Sequence, residues 1–74
     1  MTAPGQTVLW RLFHAARREH ARAVMLPGGP PHTLALFVND ALDRVENYDT
    51  LDLAMYRSDD VRRTLEGDGW REET

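Results

Sequence analysis

Three histidines are the side chains in this sequence best suited to metal binding or to acid–base chemistry near neutral pH. His14 and His20 are six residues apart, a spacing that on a helix separates them by about 240°, so one helix cannot present both to one ion. His32 lies beyond a Pro/Gly-rich break and belongs to no His-x-x-x-His or Glu-x-x-His pattern. Because the chain also has no cysteine, thiolate zinc ligands are excluded. The sequence therefore predicts no metal site and no cofactor.

Carboxylates are more numerous than histidines, and a pair of them could perform acid–base catalysis or bind a hard cation. The candidates in the second half of the chain are Asp43, Glu46, Asp49, Asp52, Asp59 and Asp60. Their spacing matches no calcium-binding loop. Asp59 and Asp60 precede Arg62 and Arg63 at the spacing of ion pairs on a helix surface. We interpret these carboxylates as a solvated acidic surface.

Nucleophilic chemistry has little support in the sequence. Ser58 is the only serine, and neither Gly-x-Ser-x-Gly nor Ser-x-x-Lys surrounds it. Gly28 and Gly29 lack the further glycines and the lysine of a phosphate-binding loop. We therefore expect a protein that is not an enzyme, and an enzyme of unknown class is the second alternative.

The basic residues are all arginines, and they are unevenly distributed. Residues 1–32 carry four Arg and one Glu, a net charge of +3, whereas residues 33–74 carry five Arg and eleven acidic residues, a net charge of −6. On a helix, Arg11, Arg18 and Arg22 would share one stripe near Trp10, which could contact an anion or the phosphates of nucleic acid. The net charge of −3 disfavours nucleic acid. A nucleic-acid-binding protein is the first alternative function.

A chain of 74 residues builds a small core, and domains of this size are often stabilised by oligomerisation. The opposite charges of the two halves offer electrostatic complementarity to a partner or to a second copy. Trp10, Phe13 and Trp70 are aromatic residues of the kind that anchor interfaces, although the tryptophans could equally belong to the core. We expect a small protein-interaction or accessory module that self-associates, as a homodimer.

The chain is expected to form one domain, residues 1–74, with frayed ends at about 1–5 and 71–74. The absence of cysteine fits a reducing compartment. The apolar stretch near the N-terminus is too short for a signal peptide, and no segment is long enough to cross a membrane. These features predict a cytoplasmic protein without a membrane partner.

The first predicted element is a helix from Gln6 to about His20. Apolar residues recur there at three- and four-residue spacing, at Leu9, Leu12, Phe13 and Ala16. A strand is the alternative, since Val8, Trp10 and Leu12 also alternate with their neighbours.

The middle of the chain is divided by Pro27-Gly28-Gly29-Pro30-Pro31, which must turn the backbone. Val24 and Leu26 before this break, and residues 34–38 after it, have the alternation of strands. Asn39-Asp40 is suited to a tight hairpin, from which residues 41–48 would return as a third strand. The alternative is a helix over 33–47, which would make the protein a three-helix bundle.

The last element is predicted to be an amphipathic helix that begins at an Asp49 or Thr50 cap and closes near Gly67. Arg62 and Arg63 would lie in its last turns, and Trp70 would fold back over its end. Together these elements predict an α+β fold. It consists of an N-terminal helix, a short antiparallel β-meander and a C-terminal amphipathic helix packed on the sheet.

Overall fold

A computed structural model describes residues 5–73, which form five strands and one helix. The elements are β1 (Thr7–His14), β2 (Glu19–Met25), β3 (His32–Val38), β4 (Ala41–Tyr48), α1 (Leu51–Gly67) and β5 (Arg71–Glu72). The strands form one sheet in the order β4-β3-β2-β1-β5, and every neighbouring pair is antiparallel. The α+β class is therefore confirmed, and the three-helix bundle is wrong.

The predicted N-terminal helix over residues 6–20 is wrong, because this segment forms β1 and the start of β2. A β-bulge between Val8 and Trp10 inserts Leu9 as an extra residue. Leu9 packs against the core beside Trp10 and Leu12. Because the inserted residue shifts the alternation of apolar and polar residues along the strand, the apolar residues recur at a spacing that resembles that of a helix. The turn that follows depends on Arg18, which has a φ of 55°.

The hairpin between β3 and β4 turns at Asn39-Asp40, as predicted, and the alternative helix over 33–47 is wrong. Both turn residues have a positive φ, 52° and 66°, which suits a two-residue hairpin loop. The Asn39 side chain also accepts a 2.9 Å hydrogen bond from the backbone N–H of His20. This contact ties the turn to β2.

Helix α1 begins at Thr50, whose hydroxyl accepts a 3.2 Å hydrogen bond from the backbone N–H of Leu53. Its C-terminus differs from the expectation, because Gly67 remains helical and the left-handed position falls at Gly69, with a φ of +103°. Arg62 and Arg63 lie within the last two turns, as predicted, although the final turn itself contains no basic residue. Trp70 does fold back over the end of the helix, since its backbone N–H donates to the Leu65 carbonyl at 3.1 Å.

The core lies between α1 and one face of the sheet. Its buried members are Trp10, Leu12, Ala21, Ala23, Leu34, Leu36 and Trp70, and Val61 and Leu65 of α1 pack against them. Ala54 is fully buried, and such a small side chain lets a helix approach the sheet closely. The Trp10 indole N–H donates to both the carbonyl and the hydroxyl of Ser58, at 3.2 and 3.0 Å. The one buried polar side chain of the described core is thereby hydrogen-bonded.

The chain ends against the first strand. Arg71 pairs with Phe13 and Glu72 with Leu12, where a frayed end had been expected. Residues 1–4 and 74, which were also predicted to be frayed, lie outside the residues that the structure describes. Between residues 5 and 73 no helix is long and apolar enough to cross a membrane.

Candidate interaction surface

The face of the sheet opposite to α1 is called the open face. Cross-strand partners share a face and successive residues alternate between faces, so the pairings define which side chains it carries. One row across the sheet, the aliphatic row, consists of Val8, Val24, Ala35 and Val45. The next, the arginine row, consists of Arg11, Arg22, Phe37 and Leu42. Within residues 5–73 α1 is the only helix, and it packs on the other side.

The aliphatic row gives the open face an apolar centre. Val24 and Ala35, at its middle, are each only 2% exposed although no helix of the described chain covers them. Towards the edge strand β4 the apolar side chains become accessible, with Val45 47% and Leu42 57% exposed. The centre of the row is thus buried, and the apolar side chains at its β4 end face solvent.

The arginine row combines cations with an aromatic ring. The Arg22 guanidinium lies 4.2 Å from the centre of the Phe37 ring and donates a 2.5 Å hydrogen bond to Asp40. Arg11 is the direct cross-strand partner of Arg22, an arrangement of like charges that destabilises a sheet. No side-chain hydrogen bond or ion pair of Arg11 is found within the described part of the chain. Arg11 is therefore available to a partner.

A hollow of about 240 Å³ lies over the arginine row. Arg11, Arg22, His20, Phe37, Asp40 and Glu73 line it. His20 Nδ1 lies 2.5 Å from the Glu73 carboxylate, and the His20 ring packs on Phe13 at 4.9 Å between centroids. Two of the three basic groups thus already have an acidic partner, so the hollow is not a strongly cationic site.

The two edges of the sheet are poor templates for adding a strand. On β4 the register shifts at Asp43, which lies between the paired residues Leu42 and Arg44. A bulge and alternating charges are devices by which edge strands avoid pairing with another chain. The opposite edge, β5, has only two residues. The open face is therefore a better contact surface than either edge.

A second concavity, a groove of about 210 Å³, lies beside the core where α1 meets the sheet. Trp10, Leu36, Val61, Leu65 and Trp70 contribute its apolar lining. Arg57 lies at the groove and is held by Glu46 and Asp60 at 3.3 and 3.1 Å. The hydrogen bond from Arg57 to Glu46, and the charge of that carboxylate, raise the pKa of the guanidinium above its ordinary value. The charges beside the groove therefore neutralise one another.

The residues predicted to contact an anion do not form one stripe. Arg11 and Arg22 are brought together on adjacent strands. Arg18 lies apart, in the turn between β1 and β2. The sequence interpretation grouped them by helical spacing, and the strand geometry keeps only the Arg11–Arg22 pair.

The three aromatic residues predicted to anchor an interface lie in different environments. Trp10 and Trp70 are 8% and 4% exposed and belong to the core, whereas Phe13 is half-buried on the open face. Phe37, Leu42 and Val45 were not singled out as surface residues. The signal was present, because residues 34–38 are apolar at every position, as expected of a strand with two apolar faces.

The histidines and carboxylates stay dispersed. His14 Nε2 lies 3.2 Å from the Asp68 carbonyl, and the His14 ring meets Trp70 edge-on. His20 is on the open face, and the His32 ring lies beside Gly29. Among the residues that the structure describes, no group of three His, Cys, Asp or Glu could hold a metal ion.

Comparison of the chain with models of known protein families, with curated proteins and with solved structures gives no match. The function must therefore be argued from the chain's own surface.

Proposed function

We propose that this chain is a small, non-catalytic protein-interaction or accessory module of the cytoplasm that self-associates. One observation carries the proposal: the sheet bears a helix on one face, and its other face has a buried aliphatic centre and accessible apolar side chains. Accessible apolar side chains on one face of a sheet, beside charged residues, are typical of a contact site.

The energetics favour covering this face. Leu42 and Val45 each retain about half of their surface, and burying the remainder of such a side chain is worth on the order of 1 kcal/mol. A 74-residue chain has a small core, so that a few kcal/mol gained by association is a large fraction of its stability. Self-association therefore supplies stabilisation that the single chain lacks.

Sedimentation equilibrium from about 1 μM to about 1 mM protein, concentrations that span weak to moderate association, tests the proposal. The expected result is an average mass that rises with concentration from one chain of 8.5 kDa towards two. A single-chain mass over the whole range overturns the self-association.

Nucleic-acid binding is the second candidate, and the pairing of Arg11 with Arg22 beside Phe37 favours it. Guanidinium groups can contact phosphates while an aromatic ring stacks on a base. Fluorescence anisotropy with single-stranded RNA and DNA at low salt provides the test. This candidate requires binding that weakens with salt and with Arg11→Ala but not with Arg63→Ala on α1, and it fails if no oligonucleotide binds.

A further inference from the structure

We infer that the open face docks on the open face of a second copy of this chain. The two-fold axis runs parallel to the strands, in the plane between the two sheets and midway between β2 and β3. This inference rests on the proposed self-association and specifies its geometry. The product is a four-layer dimer, with the two sheets face to face inside and one helix outside each sheet.

The helix surface is the main competing contact, because several of its apolar side chains are exposed. Leu51 and Leu53 are 49% and 54% exposed, but two residues along a helix correspond to about 200° of rotation. They therefore point away from each other, and each shares a stripe with one further exposed residue, Leu51 with Met55 and Leu53 with Tyr56. The four side chains thus form two small patches on different sides of α1 and not one surface. The outer surface of α1 is also occupied by its own ion pairs, such as Arg63 with Asp59 at 2.9 Å.

Rotation about the inferred axis places β3 over β2 of the second copy, and β4 over β1. The aliphatic row then meets itself: Ala35 lies opposite Val24 of the second copy, and Val45 opposite Val8. Apolar side chains from two facing sheets pack in this way in β-sandwiches, at a sheet separation of about 10 Å. The accessible apolar surface at Val45 is thereby removed from water.

The same rotation places the basic β1–β2 hairpin of each copy over the acidic β3–β4 hairpin of the other, because residues 7–25 carry four Arg and one Glu and residues 32–48 carry one Arg and three acidic residues. Phe37 lies opposite Arg22 of the second copy, and Leu42 opposite Arg11. Arg11, which has no side-chain partner in the described part of its own chain, is brought over the strand that follows the Asp40 turn. Opposite potentials that face each other favour one docking arrangement over others.

Other two-fold axes lose this complementarity. An axis centred on β2 would place Arg22 directly over Arg22 of the second copy, where like charges repel. An axis across the strands would place each strand over its own copy, so that basic β1 would cover basic β1. The axis between β2 and β3 superposes the two aliphatic rows and places the basic β1–β2 hairpin of each copy over the acidic β3–β4 hairpin of the other.

The open face is large enough for a specific contact. Four strands of seven or eight residues cover roughly 20 Å by 23 Å, given about 4.8 Å between strands and 3.3 Å per residue. Two such faces bury about 900 Å² when all four strands overlap. This area lies near the lower limit for a specific interface, about 1,000 Å², and so predicts a dimer that dissociates on dilution.

Sedimentation equilibrium of matched variants tests the inference. Leu42→Arg places a second cation opposite Arg11 of the second copy, and Val45→Asp places a charge in the aliphatic row. Leu53→Asp makes the same change on α1, at a residue of similar exposure. Circular dichroism establishes that each variant is folded. Val45→Asp and Leu42→Arg are expected to raise the dissociation constant at least about tenfold, since an unpaired buried charge and two facing like charges are both unfavourable, while Leu53→Asp leaves it unchanged.

The outcomes separate this inference from the proposed function. A wild-type chain that is monomeric at all concentrations overturns the proposed self-association. A wild-type dimer that Leu53→Asp dissociates, or that neither folded open-face variant weakens, leaves self-association standing and overturns the open-face geometry. If Val45→Asp fails to fold, Leu42→Arg decides, because Leu42 is the more exposed of the two.

Discussion

The Arg22 guanidinium lies over the Phe37 ring at 4.2 Å, on the face of the sheet that α1 does not cover. These two residues are cross-strand partners, so the sheet register itself brings the cation to the ring. The contact lies in the arginine row, next to the aliphatic row, on the surface on which the proposed association depends.

The Arg22–Phe37 contact is expected to stabilise the fold. A double-mutant cycle with Arg22→Met and Phe37→Leu should give a coupling free energy of about 0.5–1 kcal/mol, the range for a partly exposed cation–π pair. Urea unfolding in the Val45→Asp background measures it without a contribution from association. The distant pair Arg63→Met and Phe37→Leu is the control and should be additive. An Arg22–Phe37 coupling no larger than the control would contradict the role of this contact.

The hydrogen bonds between Trp10 and Ser58 predict a modest cost for Ser58→Ala. The substitution removes the hydroxyl acceptor at 3.0 Å, but the carbonyl at 3.2 Å remains. The indole N–H therefore stays bonded, and the free energy of unfolding should fall by only about 1 kcal/mol. Thr64→Ala, which removes an exposed bond to the Asp60 carbonyl, is the control for loss of a helix hydroxyl. A loss well above about 2 kcal/mol for Ser58→Ala would show that the carbonyl does not compensate.

Two glycines at the end of α1 are expected to respond in opposite ways to alanine. Gly67 is helical, and no atom lies within 4 Å of an added Cβ, so Gly67→Ala should stabilise by up to about 1 kcal/mol. Gly69 has a φ of +103°, and its added Cβ would lie 3.0 Å from His14 Nε2, so Gly69→Ala should destabilise by about 1 kcal/mol or more. Gly28→Ala shares the positive φ but meets no neighbour. The difference in melting temperature between Gly28→Ala and Gly69→Ala therefore measures the cost of the His14 contact. Equal losses of stability at the two positions would contradict that contact.

Tyr48 should make stability fall at alkaline pH. Burial, and the hydrogen bond that its hydroxyl donates to Glu46 at 3.0 Å, raise its pKa above the ordinary 10.0. The folded chain thus binds this proton more tightly than the unfolded chain. The resulting stabilisation is complete below about pH 10 and is lost as the pH rises through the raised pKa.

A Tyr56→Phe background leaves Tyr48 as the only tyrosine, so that the ultraviolet absorbance of tyrosinate reports its titration. Glu46→Gln should lower the pKa of Tyr48, while burial keeps it above the ordinary value. A midpoint at or below the ordinary value, or one that Glu46→Gln leaves unchanged, would contradict this description.

The sequence indicated the hairpin at Asn39-Asp40 and the Thr50 cap because both depend on local backbone chemistry. It favoured a helix over the strand β1, which was only the alternative for this segment, for a physical reason. The turn that ends β1 is formed by Ala15-Ala16-Arg17-Arg18, which are good helix formers, and a left-handed Arg18 leaves no local signal.

The candidate surface was harder to predict than the fold. Arg11 and Arg22 were chosen by helical spacing, yet a cross-strand register brings them together, and register depends on contacts between distant segments. Trp10 and Trp70 are of the residue type that often anchors interfaces, but they are buried because α1 packs over this face of the sheet. Residue type alone does not distinguish the two environments.

The most direct measurement of the inferred dimer is the distance between spin labels at Asp59→Cys, an exposed position of α1 in a chain without native cysteine. Two facing sheets about 10 Å apart, each with a helix about 10 Å thick outside it, hold the helix axes about 30 Å apart. Pulsed dipolar spectroscopy should therefore give a label separation of about 30 Å or more. A separation below about 20 Å, as in a helix-to-helix dimer with axes 8–10 Å apart, would contradict docking through the open face.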